Sequence, residues 1–233
     1  MKYFTLSILS LCLSFTLTAQ ELLSPSFGIS KKKTAYITLQ DGSELKGNIH
    51  DIDRDKGLIE EITVKNGSGK KQKLEPEEIK FMYLPANNLD KLSKTVGTAT
   101  NAQNWQDDKI DQKLLNKGYV YFELSEVKLK KKTKKLLMQL LNPSFSKNIK
   151  VYHDPYAGKT TSLGIGAVKL TGGIEKSYYI AKENATAFRI KKKDYKDEFG
   201  PLWSSCPAVT EKFPEKHWRD LTQHILSYNE CSE

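Results

Sequence analysis

Between positions 34 and 85 the chain alternates apolar and polar residues, and a turn signal interrupts it about every ten residues. Alternation with period two places successive side chains on opposite faces, which is the pattern of half-buried strands. Strands are predicted over 35–39, 45–52, 58–64, 71–74 and 79–84. Asp41-Gly42 is a hairpin signal, and Gly47 offers a bend or bulge in the return strand. Asn66-Gly67-Ser68-Gly69 makes the next turn, and Pro76, Glu77 and Glu78 lead into the fifth strand. Five short strands joined by tight turns predict a small closed β-barrel over 34–85, because closure removes the exposed sheet edges.

The string YITLQDGSELKGNIHDID, closed by EEIKFMYL, resembles the Sm-like and SH3-like small barrels. In Sm-type proteins a similar hairpin, apolar residues then Asp-Gly then Gly, opens the sheet. The resemblance implies the barrel shape. Sm proteins bind RNA, but ring-forming and base-stacking residues are not placed here, so nucleic acid is not among the expected partners.

The pattern loosens over 86–116, which reads as a linker with short helical turns. One is expected at Asn88 and another over 107–115 with Ile110, Leu114 and Leu115 facing inward, with an exposed loop over 96–103 between them. From 117 to 233 a second, β-rich domain is predicted. Its first strand, 118–127, puts Tyr119, Tyr121 and Glu123 on one face and Val120, Phe122 and Leu124 on the other. An apolar run at 136–141, a strand at 149–153, an Asp154-Pro155 turn and a flexible stretch at 158–166 follow. Further strand pieces are expected at 168–170, 178–181 and 187–190. The end turns helical. Pro207 suits the first turn of a short helix to Phe213, capped by Cys206 or Ser205. Pro214 restarts a second helix, in which Trp218, Leu221, Ile225 and Tyr228 recur at helical spacing as a buried stripe. The expected fold class is therefore α+β.

Residues 1–20 combine Lys2, an apolar run from Tyr3 to Leu17 and a small residue at Ala19, the layout of a secretory signal peptide. Cleavage would start the chain at Gln20 or Glu21, outside the cytoplasm. A retained anchor is the competing reading. A lipidated Cys12 fits less well, since it sits inside the apolar run behind the bulky Leu11. No other apolar run is long enough to span a membrane. Removal of Cys12 leaves Cys206 and Cys231, an even count that in an oxidising compartment reads as one disulfide worth roughly 3 kcal/mol. The bridge would staple the two C-terminal helices into a hairpin. A catalytic Cys206 with His217 or His224 as base would need a free thiol, which that compartment disfavours.

The segments NIKVYHDPYAG, KSYYIAKENATAFRIKKKDYKDEF and CPAVTEKFPEKHWRDLTQHILSYNEC resemble a group of uncharacterised secreted proteins of Bacteroidetes. The group combines a signal peptide, a barrel-like N-terminal segment and a Cys-Pro…Tyr-Asn-x-x-Cys ending. The resemblance implies location and architecture and carries no activity.

Catalytic motifs are missing from the sequence: it has no GxSxG elbow, no HExxH and no phosphate loop ending in Gly-Lys-Ser/Thr. Gly164-Ile165-Gly166 reads as a loop. The adjacent pairs Glu60-Glu61 and Glu77-Glu78 point to opposite faces of a strand, which suits paired acid–base work poorly. His217, Asp220 and His224 share a helix face that could offer metal ligands; lying opposite the apolar stripe, that face is expected to meet solvent. No catalytic residue, metal site or cofactor is therefore assigned.

Charge supplies the remaining lead. The formal net charge is +9. Lys128, Lys130, Lys131, Lys132, Lys134 and Lys135 form one dense run and Lys191, Lys192 and Lys193 another. In a strand the first run puts lysine on both faces, as at a sheet edge or a protruding hairpin. Both runs are candidates for an anionic-ligand surface. Tyr119, Tyr121, Tyr152, Tyr178 and Tyr179 could stack on sugars, but their strand spacing favours core and sheet-face roles. The expected function is an exported, non-enzymatic binding or interaction protein of the bacterial cell envelope, with an envelope protein or anionic glycan as partner. The alternatives are a structural or assembly protein touching anionic glycans or lipid head groups, and an enzyme of unrecognised class.

Overall fold

A computed structural model describes residues 21–87, 105–157, 175–183 and 185–231. The expected signal peptide, the helical turn at Asn88, the loop at 96–103, the stretch at 158–166 and the strand piece at 168–170 lie outside the described residues.

The N-terminal block forms the five strands its alternation predicts: β1 (Thr34–Leu39), β2 (Glu44–Asp55), β3 (Leu58–Lys65), β4 (Lys71–Leu74) and β5 (Ile79–Pro85). The Asp41 carboxylate holds the first turn by accepting from the Ser43 backbone N–H at 2.8 Å. The block does not close into the barrel expected over 34–85. The outer edge of β5 is taken by β6 (Tyr119–Leu129), and β7 (Lys132–Gln139) follows it, giving a seven-stranded antiparallel sheet in the order β4-β3-β2-β1-β5-β6-β7. A strand edge satisfied by β6 has no hydrogen bonds left for closure with β4.

The sheet curls instead. Register shifts between Ile49 and Asp51 and between Asp53 and Arg54 bend β2, as bulges do. Gly47 lets β3 come close, since a Cβ there would stand 2.6 Å from the Lys65 carbonyl oxygen. On the concave side Ile37, Ile49, Ile62, Leu74, Met82 and Phe122 are buried in one core. The curl carries β3 against β7, but no ladder joins them.

A second, three-stranded sheet of β8 (Ile149–His153), β9 (Ser177–Lys182) and β10 (Phe188–Lys191) packs on the convex side, in the order β10-β9-β8. Its alternation feeds two cores. Tyr152, Tyr179 and Ala181 meet Tyr83, Tyr121 and Met138 of the large sheet. Ile149, Val151, Tyr178 and Ile180 face the other way, toward helices. Burial on both faces explains why SYYIAK shows no polar face. Asn142 ties the loop before β8: it is fully buried, donates to the Phe145 and Ile149 carbonyls and accepts from the Val151 N–H.

The helices are α1 (Gln112–Asn116), α2 (Tyr195–Trp203), α3 (Pro207–Lys212) and α4 (Leu221–Cys231). Asp111 caps α1 by accepting from the Lys113 and Leu114 N–H groups. Helix α2 was not expected, although its buried residues Tyr195, Phe199, Leu202 and Trp203 stand at i, i+4, i+7 and i+8. Trp218, Leu221, Ile225 and Tyr228 form the anticipated buried stripe. Cys206, just before α3, and Cys231, ending α4, form a disulfide with their Cα atoms 5.8 Å apart. No helix among the described residues is long and apolar enough to cross a membrane.

Candidate functional site

The first lysine run is a β-hairpin tip. β6 and β7 pair up to Leu129↔Lys132, and Lys130-Lys131 makes the turn, with Lys130 at φ 51°. Directly paired residues share a face. Val127 and Leu129 lie with Lys134 and Lys132 on one side; Glu126 and Lys128 lie with Lys135 and Thr133 on the other. The six lysines are exposed. Val127 is fully buried and Leu129 packs beside it, so the base of the hairpin is held by the core while the lysines around the Lys130-Lys131 turn stay in solvent.

The second run is drawn toward the same end. Ala187 bridges Val127 in parallel. The Lys128 N–H donates to the Ala187 carbonyl at 2.8 Å, and the Ala187 N–H to the Glu126 carbonyl at 2.7 Å. From that bridge β10 runs the way β6 runs to its tip, so the chain from Phe188 to Lys193 heads toward the hairpin end. Lys192 and Lys193 are exposed. Lys191 and Lys193 reach Asp194 at 3.8 and 3.9 Å, which offsets part of their charge. The Lys192 N–H donates to the Lys176 carbonyl, bringing one more exposed lysine alongside.

The other sequence candidates resolve into structure. Tyr121, Tyr152, Tyr178 and Tyr179 are buried, and Tyr119 donates from its hydroxyl to the Thr34 carbonyl, so they build cores and offer no sugar platform. Tyr152 also donates to Glu123, whose carboxylate receives Lys150 Nζ at 2.9 Å, with Asp107 at 3.7 Å from the same ammonium. Of His217, Asp220 and His224, expected to share a solvent-facing side, His217 and Asp220 are half-buried and His224 leaves solvent altogether. His224 is fully buried, because α2 and Phe213 cover that side of α4. Burial lowers its pKa to about 4, against the pull of Asp220. Among the described residues no group of three or more His, Cys, Asp or Glu could hold a metal ion.

Asp154-Pro155 forms a turn as read, with the Ala157 N–H donating to the Asp154 carbonyl at 2.9 Å, and the turn closes a cleft. Asp154 is fully buried, 2.5 Å from both Arg189 Nε and Ser177 Oγ, and it accepts the Tyr156 N–H. Pro155 then packs on Gly57, where a Cβ would stand 2.8 Å from the proline's and φ is +88°. Beside this contact, the seam between β3 and β7 opens into a space of about 340 Å³ counted out to its mouth. Arg54, Gln139 and His153 bring polar groups to it, and Phe27, Phe122 and Met138 apolar surface.

Two donors in this cleft lack acceptors. Arg54 Nη1 donates to the Gly57 carbonyl at 3.1 Å, while Nη2 is buried without a partner. No carboxylate lies within ion-pair distance of Arg54 among the described residues. Gln139 is 4% exposed; its Oε1 accepts from the Ser26 N–H at 3.1 Å, which turns Nε2, buried and unpartnered, the other way. Sequence reasoning passed over both residues. Arginine usage was the available signal: Arg54, Arg189 and Arg219 are the three arginines among 37 cationic residues. Where lysine supplies the bulk charge, an arginine marks a place that uses its planar fork, as Arg189 does at Asp154.

Comparison with protein-family models, with curated proteins and with solved structures finds no match to this chain.

Proposed function

We propose that this chain is an exported binding protein of the bacterial cell envelope that works without catalysis, holding anionic glycan through the lysine-rich end of the β6–β7 hairpin. The parallel bridge between Val127 and Ala187 carries the reading, because it aims both lysine runs at one end of the molecule. Exposed cations in one region attract a polyanion by summed potential and need no shaped pocket. The signal-peptide layout, the Cys206–Cys231 bridge and the likeness to secreted Bacteroidetes proteins support the location.

The test is retention of the exported chain on immobilised lipopolysaccharide and on dextran sulfate across a salt gradient. Retention should fall steeply with ionic strength, since exposed charges are screened within about 10 Å at 0.1 M salt. Reversing the tip (K130E/K131E/K132E) should weaken it at least tenfold, while reversing Lys70 and Lys71 at the β3–β4 turn should change it less than twofold. Equal loss in both variants, no retention by the parent, or salt-resistant capture of one envelope protein would overturn the reading.

A further inference from the structure

We infer that the cleft at the β3–β7 seam is a binding site for a small organic carboxylate, held by Arg54 Nη2 and Gln139 Nε2 against an apolar wall of Phe122, Met138 and Phe27. This site is separate from the lysine hairpin and uses different chemistry.

Three observations lead there. First, Arg54 Nη2 and Gln139 Nε2, both buried without a partner, are donors. A buried donor without an acceptor loses its hydration and regains nothing, so a fold that places two in one cleft leaves a position where an acceptor binds favourably. Second, the guanidinium has no carboxylate of its own within ion-pair distance among the described residues, and Asp53 and Asp55 beside it in the chain are exposed. The missing acceptor is therefore best supplied as an anion, through short charge-assisted hydrogen bonds. Third, the cleft is narrow, with room for about one water molecule. That room takes one carboxylate oxygen from the mouth, and the apolar wall beside it suits an organic anion better than a strongly hydrated phosphate or sulfate. The remainder of the ligand then lies in the mouth, where Phe27 is 58% exposed and stands edge-to-face with the His153 ring, centroids 5.3 Å apart.

The supports are rigid. Gln139 lies in β7 opposite Phe122, and the Ser26 N–H sets the direction of its amide. Arg54 lies at the β2 bulge and is steadied by the Gly57 carbonyl. The Gly57–Pro155 contact ties the β2–β3 turn to the end of β8, so the two sides of the cleft keep their spacing.

The experiment titrates sodium hexanoate into the exported chain with its disulfide intact, followed by amide and methyl NMR shifts. Saturable shifts should centre on Arg54, Gln139, Phe122 and Met138, with nuclear Overhauser contacts from the hexanoate methylenes to Phe27 and Phe122. Hexanol and inorganic phosphate should give neither. Arg54→Gln should weaken binding at least tenfold and Gln139→Leu about fivefold, while the hairpin reversal K130E/K131E/K132E should leave it within twofold. If either cleft variant unfolds, the Overhauser contacts in the parent protein decide by themselves. Shifts that do not saturate, shifts centred on the hairpin lysines, an equal response to phosphate, or a lone ordered water bridging the two donors in the presence of hexanoate would overturn the inference.

Discussion

Tyr195 Oη stands 2.8 Å from His224 Nδ1 in the middle of the helical core, and Trp203 Nε1 donates to the same hydroxyl at 3.2 Å. An indole N–H can only donate, so the tyrosine oxygen accepts it, while the direction of its bond with His224 follows the histidine tautomer. Full burial of His224 favours its neutral ring. Rings of Tyr195, Phe199, Trp203 and Phe213 surround it.

This network makes stability depend on pH. The folded pKa of His224 is held down to about 4 from 6.5 by burial. Between those values the unfolded chain binds the proton and the folded chain does not, so stability falls as pH drops from 6.5 toward 4 and levels off below. The loss amounts to roughly 3 kcal/mol over that window. Urea midpoints at pH 7.5, 5.5 and 4 should show it, and His224→Phe should flatten the slope across that interval. An unchanged slope in the variant would assign the acid sensitivity to another group.

The C-terminal bridge should stabilise the helical layer. Cys206 and Cys231 close a span of 25 positions, for which loop-entropy arithmetic gives roughly 3 kcal/mol. Reduction should lower Tm by roughly 10 °C in a chain of this size. The double variant Cys206→Ser/Cys231→Ser should lose at least as much, because it also puts a hydroxyl at the fully buried position 206. Calorimetry with and without reductant checks both.

Lys150 is the cation of a shielded cluster. Its side chain and that of Glu123 are each 13% exposed, with Asp107 at 19%. Lys150→Met would leave the Glu123 and Asp107 carboxylates without their common partner, at a cost of about 3 kcal/mol. Glu123→Gln in the same chain should recover part of that, since one of the stranded charges is gone. A double-mutant cycle by urea unfolding should return a coupling of about 1–3 kcal/mol; additive losses would mean the cluster is not a unit.

Much of the local structure was legible. The alternation around Asp41-Gly42 and Asn66-Gly67 marked β1 to β5 because strand period and turn chemistry are properties of neighbouring residues. The stripe of Trp218, Leu221, Ile225 and Tyr228 was legible for the same reason. Helix α2 was missed although its spacing was in view, with Gly200 and Pro201 obscuring it. His224 was misread because the stripe defines one buried face, while α2 and Phe213 cover a second one from outside the helix. Arg54 and Gln139 carry no local mark beyond the scarcity of arginine, since their missing partners are a matter of burial.

The sequence by itself determined the five N-terminal strands and the buried stripe near the C-terminus, that a hairpin tip would be cationic, and that Cys206 and Cys231 were suited to pair. Each follows from periodicity, turn residues or charge within a short stretch. The tertiary structure decided that β5 pairs with β6 instead of closing a barrel, that Lys191–Lys193 heads toward the end of the molecule holding Lys130, and that Arg54 and Gln139, each with an unpartnered donor, line one cleft at the β3–β7 seam. Those outcomes depend on which distant edge competes successfully for a row of backbone hydrogen bonds, and that competition is settled only when the whole chain has packed.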